Sequence, residues 1–150
     1  MANRTPPVQF DFDGSLQLAR LSWQTADELD LLVGGRRDLA VAALTDWSGA
    51  FGEQFAVRVD DELQTASVVA RQLRDEAAGW ASEWKQAMDQ ENYHRYQDAC
   101  DRVRDDRGFL DTVGGALFGH DDLPPTPRLA GTPQPPAFAA TRRFADYSNY

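Results

Sequence analysis

The sequence has no isoleucine, one cysteine and one lysine among its 150 residues. Because Cys100 is the lone cysteine, no disulfide can form within the chain. No apolar run approaches the roughly 18 residues that a membrane-spanning helix needs. The first residues, Met1 to Pro7, lack the apolar core of a classical signal peptide. We therefore expect neither a membrane span nor a signal peptide.

Acidic residues outnumber basic residues by 24 to 15, which gives the chain a formal net charge of −9 at pH 7. Lys85 is the lone lysine, so nearly all of the positive charge belongs to arginine. An acidic surface repels the phosphates of nucleic acids and of anionic lipids. The composition therefore argues against DNA, RNA and anionic membranes as partners.

Apolar residues recur at helical spacing over two long stretches, the first from Leu16 to about Leu44 and the second from Phe51 to Val103. The first stretch carries two adjacent apolar stripes. The Leu18 stripe is interrupted by Thr25 and Arg36 and consists of Leu18, Leu21, Leu29, Leu32, Leu39 and Ala43. The Leu16 stripe consists of Leu16, Ala19, Trp23, Ala26, Val33, Ala40 and Leu44. Together they make an apolar surface wider than one neighbouring helix covers.

These patterns predict an all-α fold, a long antiparallel helical hairpin, with further segments on either side. The predicted parts are a short extended N-terminal segment (1–14), the hairpin (15–108), a short glycine-rich apolar segment (109–120) and a proline-rich tail (121–150). The tail holds six of the eight prolines and has no hydrophobic period. We predict a flexible tail, either disordered or extended over the surface.

Glycine and asparagine residues mark places where we expect a helix to kink, to cross another helix closely or to break. Each of Gly34 and Gly35 costs the first helix about 1 kcal/mol against alanine, which predicts a kink or a close backbone crossing there. The second helix is expected to end at Gly108, with a break near Gly79 or around Asn92.

The turn between the two helical stretches contains the tripeptide Trp47-Ser48-Gly49, and Phe55 follows eight residues after Trp47. On Trp47, Gly49 and Phe55 the chain resembles the WxG-type (ESX) helical-hairpin family of type VII secretion systems, over about residues 8 to 107. The resemblance implies a non-catalytic protein that is exported without a signal peptide. Such a protein is a secreted partner, or the delivery module of a larger toxin or effector.

The resemblance also implies a recognition site for the export machinery and a location. In the family the turn tryptophan acts together with a tyrosine that is followed four positions later by an acid. Tyr93 lies at a suitable distance from Trp47, although Gln97 stands at the acidic position and Asp98 follows it. Trp47, Gly49, Phe55 and Tyr93 are therefore the predicted export-recognition residues. The export ATPase is an expected partner, and the protein is expected in the cytoplasm before export and outside the cell or at its surface afterwards.

Two helices can bury one stripe each against the other, which leaves a second stripe in water, and exposed patches of that size usually mark an interface. Two hairpins that pack as a four-helix bundle would cover all of the stripes. We therefore predict a homodimer or a pair with a related hairpin. The predicted interface residues are Trp23, Leu29, Leu32, Trp80 and Trp84. The alternative is a monomeric bundle adaptor that covers its own stripes and is not secreted.

A different function is suggested by residues 8–16. This segment is similar to the first motif of haloacid dehalogenase-like phosphohydrolases, an apolar strand followed by D-x-D-G-[T/S]. That resemblance implies Asp11 as the nucleophile, Asp13 as the general acid/base and Mg²⁺ as the cofactor. It also requires a doubly wound sheet with several buried strands, for which a chain without isoleucine has few candidates. The phosphohydrolase is therefore the second alternative.

Other catalytic and metal-binding patterns are weaker. His94 and His120 are isolated, and together with Cys100 they do not match a usual metal-ligand spacing. No glycine-rich phosphate-binding loop is present. We therefore predict no catalytic residue, no metal and no cofactor for the helical hairpin.

Overall fold

A computed structural model of the chain describes residues 5–113, 123–141 and 143–150, and for residues 107–113 it describes the backbone alone. It contains two helices, α1 (Phe12–Asp46) and α2 (Gly49–Val113), and no strand among the described residues. The predicted all-α hairpin is confirmed. None of the described helices combines the length and the apolar character that crossing a membrane requires.

The described residues form two compact units, and α2 contributes to both. The hairpin unit comprises Asp13–Ala81 and Gln134–Ala139. The terminal unit comprises the described parts of Met1–Phe12, Ser82–Pro133 and Ala140–Tyr150. The terminal unit thus joins the later part of α2 to extended segments from both ends of the chain.

Ion pairs between the helices show the antiparallel register of the hairpin unit. Arg36 contacts Glu62 at 3.0 Å, and Arg74 contacts Asp27 at 2.8 Å and Asp30 at 2.6 Å. Partners later in α2 therefore lie beside residues earlier in α1. Exposed ion pairs of this kind contribute at most about 1 kcal/mol each, so they mark the register more than they stabilise it.

Small side chains form the buried seam of the hairpin unit. On α1 the buried residues of the seam are Ala19, Ala26, Val33 and Ala40, and on α2 they are Leu63, Ala70 and Ala77. Within each helix these positions repeat every seven residues, the spacing that keeps one face turned toward a neighbouring helix. Alanine side chains allow two helix backbones to approach closely. We call these seven residues the alanine seam.

The two stripes of α1 differ in burial. The Leu16 stripe supplies the α1 side of the alanine seam, and Leu16 itself is buried. On the Leu18 stripe, Leu18, Leu21, Leu32 and Leu39 remain 45%, 50%, 62% and 72% exposed. The expectation that a second stripe faces water is therefore met within the single chain.

The start of α1 differs from the prediction. The helix begins at Phe12 rather than at residue 15, so Asp11 occupies the position before the first helical residue, where helices favour Asp, Asn, Ser and Thr. Asp13 lies in the first turn, where a negative charge is favourable near the helix N-terminus. The extended N-terminal segment is correspondingly shorter than predicted.

The helices also run through the residues where deviations were expected. A Cβ atom added at Gly34 or Gly35 would meet nothing within 4 Å, so the predicted close backbone crossing is wrong. α2 passes Gly79 and Asn92 without a break and continues beyond Gly108 to Val113. Packing on a long helix outweighs the cost of about 1 kcal/mol for each glycine. Residues 109–113 therefore belong to α2, and residues 114–120 of the predicted glycine-rich segment lie outside the described residues.

The described part of the proline-rich tail lacks regular secondary structure and makes turns at residues 135–138 and 148–149. It contains neither helix nor strand. Five of its residues nevertheless have buried side chains: Pro124, Ala130, Pro133, Phe138 and Tyr147. The tail therefore supplies part of the core in both units.

Substitution of two glycines tests the assignment of the turn. Gly49 begins α2 with φ +77°, in the left-handed region, so Gly49→Ala should destabilise the protein by about 1 kcal/mol. Gly35 lies in the helix with open space around it, so Gly35→Ala should stabilise the protein by about 0.5–1 kcal/mol. Urea unfolding of both variants measures the two changes in the free energy of unfolding. Changes of the same sign would contradict the assignment of the turn.

Candidate functional site

The turn between the helices is built by two glycines around Trp47. The Trp47 amide donates to the Ala43 carbonyl at 3.2 Å, and the chain reverses through Ser48 and the left-handed Gly49. At Gly52 an added Cβ atom would lie 2.9 Å from the Trp47 carbonyl oxygen. A side chain at residue 52 would therefore push α2 away from the turn. The structure therefore extends the Trp47-Ser48-Gly49 motif to W-S-G-x-x-G, in which the last glycine is Gly52.

Three aromatic rings form a cluster at this turn. The Trp47 ring contacts Phe55 edge to face at 5.1 Å between centroids, and it contacts Phe51 at 6.0 Å. Trp47 remains 47% exposed, and Phe51 is more exposed still. Phe51 was not among the predicted site residues, although its spacing of four residues from both Trp47 and Phe55 is a signal that points to it. We call these three residues the turn cluster.

A shallow groove of about 210 Å³ borders the turn cluster. Its lining residues are Leu44, Trp47, Ser48, Gly49, Gly52, Glu53 and Ala56. The groove is apolar apart from Ser48 and the acidic Glu53. It therefore suits an apolar side chain with a neutral or basic neighbour better than an anion.

The structure places Tyr93, the fourth predicted recognition residue, in the terminal unit. Its ring is about half exposed and lies 5.9 Å from the ring of Tyr96. Gln97, at the position where the resemblance calls for an acid, accepts a hydrogen bond from the Thr5 amide at 2.9 Å. Asp98 lies 3.3 Å from His94 Nε2. Trp47, Gly49 and Phe55 are therefore brought together in one unit, and Tyr93 belongs to the other.

The chain itself covers two of the five predicted interface residues. In the hairpin unit, Trp23 contacts Phe138 at 5.9 Å between ring centroids, and the Arg74 guanidinium lies 5.4 Å from its ring. In the terminal unit, Trp84 is 1% exposed and contacts the ring of Phe12 at 6.4 Å. Trp84 is therefore a core residue in the single chain.

The other three predicted interface residues differ in exposure. Trp80 and Leu29 are partly buried, and Leu32 lies on the exposed Leu18 stripe. The exposed surface that remains for a partner is accordingly made of leucine rather than of tryptophan. The neighbouring Leu18, Leu21 and Leu39 belong to it, although they were not predicted as interface residues.

Side chains of α2 hold the N-terminal segment in the terminal unit. The Thr5 carbonyl lies 2.7 Å from His94 Nδ1, and the Val8 amide donates to Glu91 at 3.3 Å. Burial favours the protonated form of Glu91, but the hydrogen bonds that its carboxylate accepts from Arg95 and Val8 outweigh burial and lower its pKa. The charged Glu91 carboxylate therefore binds both the segment and the Arg95 guanidinium.

Asp11 and Asp13 do not occupy the environment that a phosphohydrolase requires. They flank the first residue of α1, and the described residues contain no strand that could present them at a sheet edge. Among these residues no group of three or more His, Cys, Asp or Glu side chains is placed to hold a metal ion. The fold that this alternative needs is absent from the described chain.

Comparison with protein-family models, with curated proteins and with solved structures finds no match for this chain.

Truncation of Phe138 tests whether the tail belongs to the folded core. Phe138 is 1% exposed and contacts Trp23, so Phe138→Ala should reduce the free energy of unfolding by about 3 kcal/mol. Leu129 lies in the same tail but is largely exposed, so Leu129→Ala should change it by less than about 0.5 kcal/mol. Urea unfolding measures both, and an unchanged Phe138→Ala variant would mean that the tail is not docked in solution.

Proposed function

We propose that the chain is a non-catalytic interaction module of the WxG type, in which the Leu18 stripe binds a second helical hairpin and the export machinery recognises the turn cluster. The exposure of the Leu18 stripe carries this proposal. Soluble monomers rarely expose contiguous apolar patches larger than a few hundred Å², and larger ones usually mark interaction sites. The proposed protein is made in the cytoplasm and leaves the cell without a signal peptide.

The length of the stripe supports a helical partner. From Leu18 to Leu39 the stripe spans 22 residues of α1, a rise of about 32 Å at 1.5 Å per residue. Leu18, Leu21, Leu32 and Leu39 are each about half exposed or more. Complete burial of a leucine contributes about 1.5–3 kcal/mol, so covering four half-exposed leucines contributes several kcal/mol from each hairpin. Thr25 and Arg36 interrupt the stripe, and Arg36 is paired with Glu62 in the same chain. A row of leucines of this length fits another helix better than a small molecule.

The proposed assembly is a four-helix bundle in which two hairpins meet through their Leu18 stripes. Such an interface is isologous when the two chains are identical. The net charge of −9 opposes the approach of two copies, and salt screens this repulsion. We therefore expect a homodimer to strengthen with salt, and a related hairpin of lower negative charge to bind more tightly at low salt.

The geometry of the turn supports a separate recognition role. Trp47 is held by contacts to Phe51 and Phe55 but leaves nearly half of its surface to solvent. A tryptophan that only anchored the turn would bury its ring more completely. Rigid, partly exposed aromatic side chains are typical anchors of protein interfaces.

A monomeric adaptor is the second candidate function, and a specific observation favours it. The tail packs against Trp23 and leaves it partly buried, and Phe12 at the start of α1 packs against Trp84, which is 1% exposed. The chain therefore covers much of this tryptophan surface without a partner. A monomer of this kind would use the Leu18 stripe for a transient partner and would not be exported.

Charge placed on the Leu18 stripe tests the bundle. Leu32→Glu should raise the dissociation constant of the assembly at least tenfold, because a carboxylate would be buried between the hairpins. Leu31→Glu is the matched control, since Leu31 is also highly exposed but lies off the stripe. Light-scattering mass over a concentration series, with circular dichroism to check helicity, measures both. A wild-type chain that stays monomeric at every concentration, alone and in salt, would favour the adaptor.

Removal of the turn tryptophan tests export. Trp47→Ala should reduce the exported fraction at least tenfold in cells that carry a type VII system, with little loss of stability because Trp47 is half exposed. Val57→Ala, at an exposed residue of α2 outside the turn cluster, is the control and should be exported normally. Immunoblots of cells and medium give the two fractions. Equal export of Trp47→Ala and wild type would remove the recognition role.

A further inference from the structure

In the terminal unit, α2 holds an extended segment of the C-terminal tail in a slot formed by Phe12, Asn92 and Arg95. Phe144 fills this slot: its ring lies 5.1 Å from the Phe12 ring in an edge-to-face contact, and the Arg95 guanidinium lies 4.4 Å from its centroid. The next amide, that of Ala145, donates to Asn92 Oδ1 at 2.8 Å. The slot therefore recognises an aromatic side chain and the backbone that follows it.

We propose that this slot is a peptide-binding site for an extended segment with an aromatic residue followed by a small residue, and that the tail of the chain is an exchangeable occupant. The aromatic ring packs between Phe12 and the Arg95 cation, and cations are attracted to the faces of aromatic rings. Arg95 is held in place by Glu91 at 3.0 Å. The slot is thus formed by side chains of α1 and α2 rather than by the tail.

Asn92 shows that the tail uses only part of the site. Its side chain is 1% exposed, and its Nδ2 atom has no hydrogen-bond acceptor among the described residues. A carboxamide donates and accepts side by side, so an extended residue that turned both its N–H and a C=O toward Asn92 would satisfy both atoms. The tail satisfies only Oδ1. A buried donor without an acceptor weakens the complex that contains it.

The segment is held more firmly at Tyr147 than at Phe144. Tyr147 is buried, its hydroxyl donates to the Pro125 carbonyl at 2.8 Å, and its ring lies 6.1 Å from the Tyr96 ring. Phe144 keeps 38% of its surface exposed, and the hydrogen bond from Arg102 to the Tyr147 carbonyl is long, at 3.4 Å. The same stretch of α2 also binds the backbone of the N-terminal segment, through Gln97 and Glu91. Recognition of extended backbone by side chains is therefore a repeated property of this part of α2.

A competition experiment tests the exchange. A fluorescein-labelled peptide of residues 140–150 is titrated with the full chain and with the full chain carrying Phe144→Ala. The variant should bind the peptide at least fivefold more tightly than the wild type, because its own tail no longer fills the slot. A peptide with the same substitution should bind at least tenfold more weakly to both chains. Similar affinity of both chains for the unsubstituted peptide, or no binding by either, would overturn the proposal.

Two further variants keep the outcome decisive. Ala145→Pro in the full chain removes the amide that binds Asn92, and it should increase peptide binding as Phe144→Ala does. If either variant loses helical circular dichroism, the segment belongs to the folded core and is not an exchangeable ligand.

The titrations are repeated with Leu32→Glu in the chain. Peptide binding at the slot is thereby measured apart from any association through the Leu18 stripe.

Discussion

The close packing of small side chains along the alanine seam is the constraint on which the hairpin unit depends. Alanine at Ala19, Ala26 and Ala40 faces a seam on α2 that is also rich in alanine. Such a seam brings the helices close but removes little apolar area from water for each residue, and burial contributes only about 25 cal/mol per Å². It also excludes the leucines of α1 from the seam. Large apolar side chains must therefore lie elsewhere.

The chain covers some of those large side chains with residues that are remote in sequence. In the hairpin unit, Phe138 buries its ring against Trp23. In the terminal unit, Phe12 packs between Trp84 and Phe144. Aromatic residues of this size contribute several times the burial of an alanine. The extended segments thus supply the apolar burial that the alanine seam cannot, which is why a tail without regular structure takes part in the core.

Periodicity alone predicted the helices and the presence of a surplus stripe, because both follow from the 3.6-residue repeat of an α-helix. It did not show which stripe faces α2, since that choice depends on side-chain size across the seam, on Ala70 and Ala77. Two of the three residues of the turn cluster, Trp47 and Phe55, were predicted because they lie close in sequence, and Phe51 was missed. The contact between Trp23 and Phe138 was missed because the two residues are 115 positions apart in the sequence. A tail without regular structure also has no repeating apolar pattern that could reveal its contacts.

The Leu18 stripe remains exposed in a chain that has residues able to cover it. The tail buries Phe138 almost completely and inserts Phe144 beside Arg95, so its apolar side chains are used at other sites. Leu129, in the same tail, stays in solvent. Burial of four leucines would add several kcal/mol to a fold whose total stability is on the order of 10 kcal/mol. The exposure of the Leu18 stripe therefore does not follow from a shortage of apolar residues, and in this way it supports the proposed interface.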